Sequence, residues 1–157
     1  MLKQRPARWG RGKGCGLTTR IGVIDGQGGG IGAALIQGLR AAYGESVEIW
    51  ALGTNAIATS QMMKAQANRG ATGENAIVRS VEAVDIILGP VAVTWANAMM
   101  GEVTPAMAQA VTSCRAPKIL LPLSQENVTL VGLSHEPLPH LVAQIVETKI
   151  KEHINHV

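Results

Sequence analysis

Residues 21–32 read Ile-Gly-Val-Ile-Asp-Gly-Gln-Gly-Gly-Gly-Ile-Gly, and no other stretch of this chain restricts its fold as much. An apolar run of strand character passes through a loop made mostly of glycine. It then enters a run with helical spacing, Ile31, Leu35 and Leu39. Glycine adopts backbone angles closed to other residues and lets a ligand approach the main chain. Between a strand and a helix start, such a loop turns free N–H groups and the positive end of the helix dipole toward one point. An anion suits that point, phosphate above all.

The rest of the pattern alternates. Residues 21–25 read as strand 1 and residues 31–43 as helix 1, stopped by Gly44 in a left-handed conformation. Residues 47–52 form strand 2, ending at Gly53-Thr54-Asn55, and residues 56–68 form helix 2, stopped by Gly70. Residues 72–75 are a turn, 76–83 a helix, and 84–88 strand 3, closed by Gly89-Pro90. An apolar helical run covers residues 91–100, and Thr104-Pro105 opens another helix that reaches Ser113. Residues 118–121 and 128–132 are strands 4 and 5; the link between them is too short for a parallel crossover, so strand 5 is expected to be antiparallel. An amphipathic helix over residues 139–153 comes last, with Leu141/Val142, Ile145/Val146 and Ile150 as its apolar stripe. The prediction is an α/β, Rossmann-like three-layer sandwich around a mostly parallel sheet of about five strands, the last antiparallel.

Charge divides the chain in two. Residues 1–20 hold Lys3, Arg5, Arg8, Arg11, Lys13 and Arg20 without an acid, leaving eight Lys and Arg against eleven Asp and Glu in the body. Residues 1–19 are therefore expected to be a disordered basic tail and residues 20–157 a single α/β domain. Three readings of the tail stand: a basic arm for nucleic acid or anionic surfaces, a solvated tail with no task, or a start placed upstream of one at Leu17-Thr-Thr-Arg. Trp9, Tyr43, Trp50 and Trp95 are the only aromatics, too few for a base-stacking surface, so nucleic acid is not an expected partner. Cys15 and Cys114 make neither a disulfide framework nor a metal spacing. With neither a membrane-length apolar run nor a signal-peptide core, the expectation is a cytoplasmic protein.

Two fingerprints overlap in the loop. Gly28-x-Gly30-x-x-Ala33 fits the dinucleotide pattern, and Gly26-x-x-x-Gly30-Ile31-Gly32 resembles the cofactor loop of short-chain dehydrogenases. Against a full dinucleotide fold, the end of strand 2 lacks the acid that takes the adenosine ribose; Gly53-Thr54-Asn55 stand there, and Glu48 comes too early. Asp25 directly precedes the loop, where an anion disfavours phosphate unless a ribose hydroxyl or a hydrated Mg²⁺ intervenes. The body also holds little more than one βαβαβ half. The Tyr-x-x-x-Lys pair of short-chain dehydrogenases and the Gly-Lys-Ser/Thr ending of a P-loop are absent.

The candidate cofactor-binding set is Asp25, Gly26, Gln27, Gly28, Gly29, Gly30, Ile31, Gly32, Gly53, Thr54, Asn55 and Gly89, all at the carboxyl edge of the expected sheet. Asn55 serves equally well as the cap of helix 2. Thr72, Glu74 and Asn75 beside Arg69 read as turn chemistry, and Asn97 and Glu102 flank a break at Met99-Met100-Gly101. The methionine pairs Met62/Met63 and Met99/Met100 read as core filler. His135, His140, His153 and His156 lack a completing carboxylate or cysteine, and no metal site is expected.

The runs Ile-Asp-Gly-Gln-Gly-Gly-Gly-Ile-Gly, Ala51-Leu-Gly-Thr-Asn-Ala56, Arg69-Gly-Ala-Thr-Gly-Glu-Asn-Ala76 and Gly101-Glu-Val-Thr-Pro105 together resemble an uncharacterised bacterial family, a domain of unknown function with small glycine-motif members. The likeness spans residues 20–147; it implies a bacterial cytoplasmic protein with a nucleotide-type loop and carries over no catalytic residue. The leading expectation is a module that binds a nucleotide or phosphorylated cofactor, NAD(P) or a mononucleotide, with Thr54 and Asn55 near the sugar. The rivals are a small NAD(P)- or Mg-nucleotide-dependent enzyme using Asp25 with Glu74 or Glu102, and a homo-oligomeric scaffold that binds no ligand.

Overall fold

The computed structural model describes residues 18–154. Residues 1–17 of the expected basic tail, with Trp9 and Cys15, and also His156 lie outside the described residues, whereas Thr19 is already part of the first strand. Five strands, β1 (Thr19–Asp25), β2 (Val47–Gly53), β3 (Arg69–Thr72), β4 (Ile86–Pro90) and β5 (Lys118–Leu121), form one sheet in the order β3-β2-β1-β4-β5. Every pairing is parallel.

The central strands read as unbroken apolar runs because helices cover both faces. Ile21, Val23, Ile49, Ala51, Ile86 and Leu88 meet one layer: α1 (Gly30–Tyr43), α2 (Ala56–Lys64) and the C-terminal helix. That helix runs from α5 (Leu138–Gln144) through a π turn (Ile145–Lys149) into α6 (Ile150–Ile154), and Tyr43 Oη donates to the Val146 carbonyl at 2.7 Å. Ile24, Leu52 and Ile87 meet the other layer: α3 (Glu74–Ser80), α4 (Pro105–Ser113) and a 3-10 turn (Val91–Thr94). From β1 the chain steps to β2 and then β3 on one side, and returns to β4 on the other. The crevice between the carboxyl ends of β1 and β4 is therefore the switch point where ligands of open α/β sheets bind.

Several element ends follow local chemistry. Thr104 Oγ1 accepts the Met107 N–H at 3.2 Å with Pro105 in the first turn of α4, and Gly44 ends α1 at φ 52°. Arg40 fixes the α1 terminus from its side chain, donating to the Gln66 carbonyl at 2.8 Å, the Gly44 carbonyl at 2.7 Å and Asn68 Oδ1. Glu48 pairs with Arg69 at 3.0 Å and accepts the Trp50 indole N–H at 2.8 Å, away from the carboxyl edge.

Three expectations are corrected. Among the described residues no antiparallel strand forms: residues 128–132 are irregular, and β5, parallel to β4, is the sheet edge. The missing fifth strand is β3, which falls between the expected helix 2 (residues 56–68, with Gly70 as its stop) and the expected turn at residues 72–75. As an exposed edge it needs no apolar pattern, and Arg-Gly-Ala-Thr shows none. The chain reaches it because α2 stops at Lys64 and Gln66 turns left-handed at φ 78°; Asn68 then exchanges hydrogen bonds with Ile49. Finally, residues 91–100 are not a helix. After the 3-10 turn, Asn97, Met99, Met100 and Gly101 all take left-handed angles (66°, 56°, 58° and 90°), which no α-helix contains.

Candidate functional site

Asp25, the last residue of β1, is 3% exposed and turns its carboxylate back onto the glycine loop. It accepts the Gly26 N–H at 2.8 Å and the Gly32 N–H at 2.7 Å, and so caps the start of α1. Burial pushes its carboxyl above the usual range, against the pull of the Gly32, Gly26 and Ile31 N–H groups, and the Glu102 carboxylate pushes the same way. The helix N-terminus expected to hold phosphate therefore already holds an acid. Of the other loop donors, the Gly29 N–H goes to the Gly26 carbonyl at 3.0 Å and the Gln27 N–H to Glu102 Oε2 at 2.8 Å. Gly28 and Gly30 keep N–H groups with no acceptor among the described residues.

The glycines of the loop serve different ends. At Gly29 (φ 73°) a Cβ would lie 2.7 Å from the Ala58 Cα, so both handedness and the approach of α2 require glycine. At Gly26 a Cβ would lie 2.5 Å from Thr54 Oγ1 and 2.9 Å from Glu102 Oε2. Gly28 and Gly30 are exposed, neither is left-handed, and a Cβ on either would meet nothing within 4 Å. Nothing among the described residues calls for glycine at these two positions.

Both border a cavity of about 530 Å³ at the switch point, lined by residues 25–31, Pro90, Ala92, Asn97, Met99, Met100 and residues 123–126. That volume lies within the roughly 300–1,000 Å³ typical of small-molecule sites. The wall is partly apolar, through Ile31, Pro90, Ala92, Leu123 and the two methionines; among the described residues its charged members are Asp25 and Glu126, with no Lys, Arg or His. Glu126 Oε1 accepts the Met99 N–H at 2.7 Å and steadies the left-handed segment over the cavity. The methionine pairs thus part company: Met62 fills the core, whereas Met99 and the 95% exposed Met100 line the cavity.

The structure brings Asp25, Gly26, Gln27, Gly28, Gly29, Gly30 and Ile31 together in the lining but leaves out Gly32, Gly53, Thr54, Asn55 and Gly89. Gly32 is pressed on Met62, Gly53 on Thr59, and Gly89 on the Ile24 carbonyl of β1. Asn55 caps α2, its Oδ1 accepting the Ala58 N–H at 2.9 Å, while its Nδ2 donates to the Gln27 carbonyl at 3.0 Å and to Glu102 Oε2 at 2.9 Å. Thr54 Oγ1 donates to the same oxygen at 2.6 Å. For the Glu102 carboxyl, burial acts to raise the pKa, but the Gln27 N–H, the Thr54 hydroxyl and the Asn55 amide outweigh it and hold the group below the usual range. A carboxylate so stabilised is a weak base, which counts against its expected role as a catalytic one. Glu74 is exposed at the start of α3, outside the cavity.

Ala92, Met99, Met100, Leu123 and Glu126 have no functional reading in the sequence. The one signal for them is the Met99-Met100-Gly101 break beside Asn97, masked by the apolar run before it. Among the described residues no group of three His, Cys, Asp or Glu side chains is placed to hold a metal ion, and His140 meets Glu136 at 3.3 Å. No helix among those residues is long and apolar enough to cross a membrane.

A family model described as a domain of unknown function (DUF3842) matches residues 20–155, and the chain belongs to that family. No curated protein matches the chain.

Proposed function

We propose that this member of the DUF3842 family is a cytoplasmic module that binds a nucleotide or phosphorylated cofactor in the switch-point cavity, a phosphate resting on the N–H groups of Gly28 and Gly30. The observation that carries this reading is the pair of glycines itself. They border the cavity and, among the described residues, their N–H groups have no acceptor and no steric or conformational reason requires glycine. Close approach of a ligand to the main chain supplies that reason.

The electrostatics narrow the choice. With Asp25 and Glu126 in the wall and no basic side chain there among the described residues, a terminal phosphate dianion is poorly served. A pyrophosphate whose groups each bear one charge, as in NAD(P), fits better, and so does a mononucleotide carrying Mg²⁺. The enzyme reading draws on Asp25, a buried carboxyl with a raised pKa in a cavity wall. Its two oxygens are engaged by backbone N–H groups, however, which favours a capping role.

Thermal unfolding with NAD, NADP, ATP, GTP and FMN, each with and without Mg²⁺, tests the proposal. A ligand at about 100 times its dissociation constant should add roughly 2.7 kcal/mol of stability. If none of these probes shifts the transition, the chain is not a nucleotide-binding module. A shift that needs Mg²⁺ identifies the mononucleotide complex.

A further inference from the structure

Dinucleotide-binding sheets keep an acid at the end of their second strand, where it accepts hydrogen bonds from the adenosine ribose. In this chain β2 ends at Gly53 with Thr54 and Asn55 behind it, and no acid follows. The fold nevertheless puts a carboxylate there. Glu102, 48 residues beyond Thr54, comes in from the segment before α4, and its Oε2 takes the Thr54 hydroxyl at 2.6 Å, the Gln27 N–H at 2.8 Å and the Asn55 amide at 2.9 Å. One donor belongs to the glycine loop and two follow β2, so the carboxylate bridges the two places between which an adenosine ribose lies in such sheets. Thr54 is itself tied to the end of β1, its N–H donating to the Asp25 carbonyl at 3.0 Å.

The division of labour between the two oxygens matters. Three donors converge on Oε2 and fix the side chain, while Oε1 has no partner among the described residues. Glu102 is only partly buried. An ionised carboxylate with one oxygen clamped and the other open is a pre-oriented acceptor for a vicinal diol, and it repels a phosphate at the same position.

We infer that Glu102, which stands outside the cavity lining but is bonded to Gln27 within it, is the ribose-recognition residue beside this site, supplied from the segment before α4 in place of a β2 acid, and that it selects nucleotides with free 2′- and 3′-hydroxyls over 2′-deoxy and 2′-phospho forms. This rests on the proposed nucleotide function and names the ligand feature that the site reads.

The test uses the full chain with four probes, ATP, 2′-deoxyATP, NAD and NADP, in Mg²⁺ and followed by calorimetric titration. Wild type should bind the ribose form of each pair that registers at least about tenfold more tightly than its partner, the scale of one hydrogen bond to a charged group. Glu102→Gln, checked for folding by circular dichroism, should bring both ratios within about threefold of unity by recovering NADP affinity and losing the preference for ATP. The wild-type ratios need no variant, so poor folding of Glu102→Gln leaves the test intact. Equal wild-type affinity within each pair, or unchanged ratios in a folded Glu102→Gln, overturns the role of Glu102 while leaving nucleotide binding in place. Silence from all four probes overturns nucleotide binding and the inference with it.

Discussion

Three neighbouring glycines can be separated by a single added methyl group. At Gly29 an alanine must hold φ 73°, which costs roughly 1–2 kcal/mol in the left-handed region. Its Cβ would also sit 2.7 Å from the Ala58 Cα and 2.8 Å from the Ala58 carbonyl oxygen, contacts with backbone that cannot rotate away. Overpacking of that kind adds about 1–3 kcal/mol, so Gly29→Ala should lose roughly 2–5 kcal/mol. Gly28→Ala and Gly30→Ala meet open space at ordinary φ. They should leave stability unchanged or raise it by about 0.4–1 kcal/mol through the unfolded chain. In ligand binding the order reverses. Gly28→Ala and Gly30→Ala should weaken a nucleotide that stabilises wild type by at least about tenfold, because the methyl enters the space a phosphate would use. Urea denaturation measures the first effect, and titration with whichever of NAD, NADP or ATP binds measures the second. If Gly28→Ala and Gly30→Ala are as unstable as Gly29→Ala, their glycines serve internal packing and the case for a phosphate there collapses. Wild-type affinity in both stable variants would be equally fatal.

Arg40→Met should destabilise by about 2–4 kcal/mol in urea, since a side chain only 10% exposed leaves the Gln66, Gly44 and Asn68 oxygens without their donor. Asn55→Ala removes both the cap of α2 and a tie to Gln27, and its melting should register a loss of about 1–2 kcal/mol. The pH dependence holds two opposed contributions. Glu102, lowered from 4.5, contributes stability that is full above that value and is lost as pH falls through its folded pKa. Asp25, raised from 3.8, contributes stability that is full below that value and is lost as pH rises through its folded pKa. Glu102→Gln should therefore flatten the acid-side loss below 4.5 in urea titrations; an unchanged acid limb would refute the depressed pKa.

Much of the layering was legible because it rests on short-range periodicity. The apolar runs of β1, β2 and β4, the stripe of the C-terminal helix, and the Thr104-Pro105 start of α4 all stand where the sequence puts them, within a few residues. The short link after residue 121 pointed to an antiparallel strand that does not form, because nothing local showed that residues 128–132 would stay unpaired. Strand β3 escaped notice for the converse reason: an exposed edge is defined by its bonds to β2, and those bonds leave no hydrophobic pattern. The apolar run over residues 91–100 misled because Ala92, Val93 and Ala98 are buried by a folded-back turn rather than by a helix face.

The site divides in the same way. The sequence by itself determined that a glycine loop would follow an apolar strand, and it located Asp25 through Ile31, because that information is contiguous. Only the tertiary structure decided which glycines are demanded by α2 and which stand free, and that Asp25 caps the helix expected to hold phosphate. It also brought Glu102 to the end of β2, where the sequence shows no acid. Those outcomes depend on side chains tens of residues apart meeting across the carboxyl edge, and the packing of whole elements sets such distances where no local pattern can.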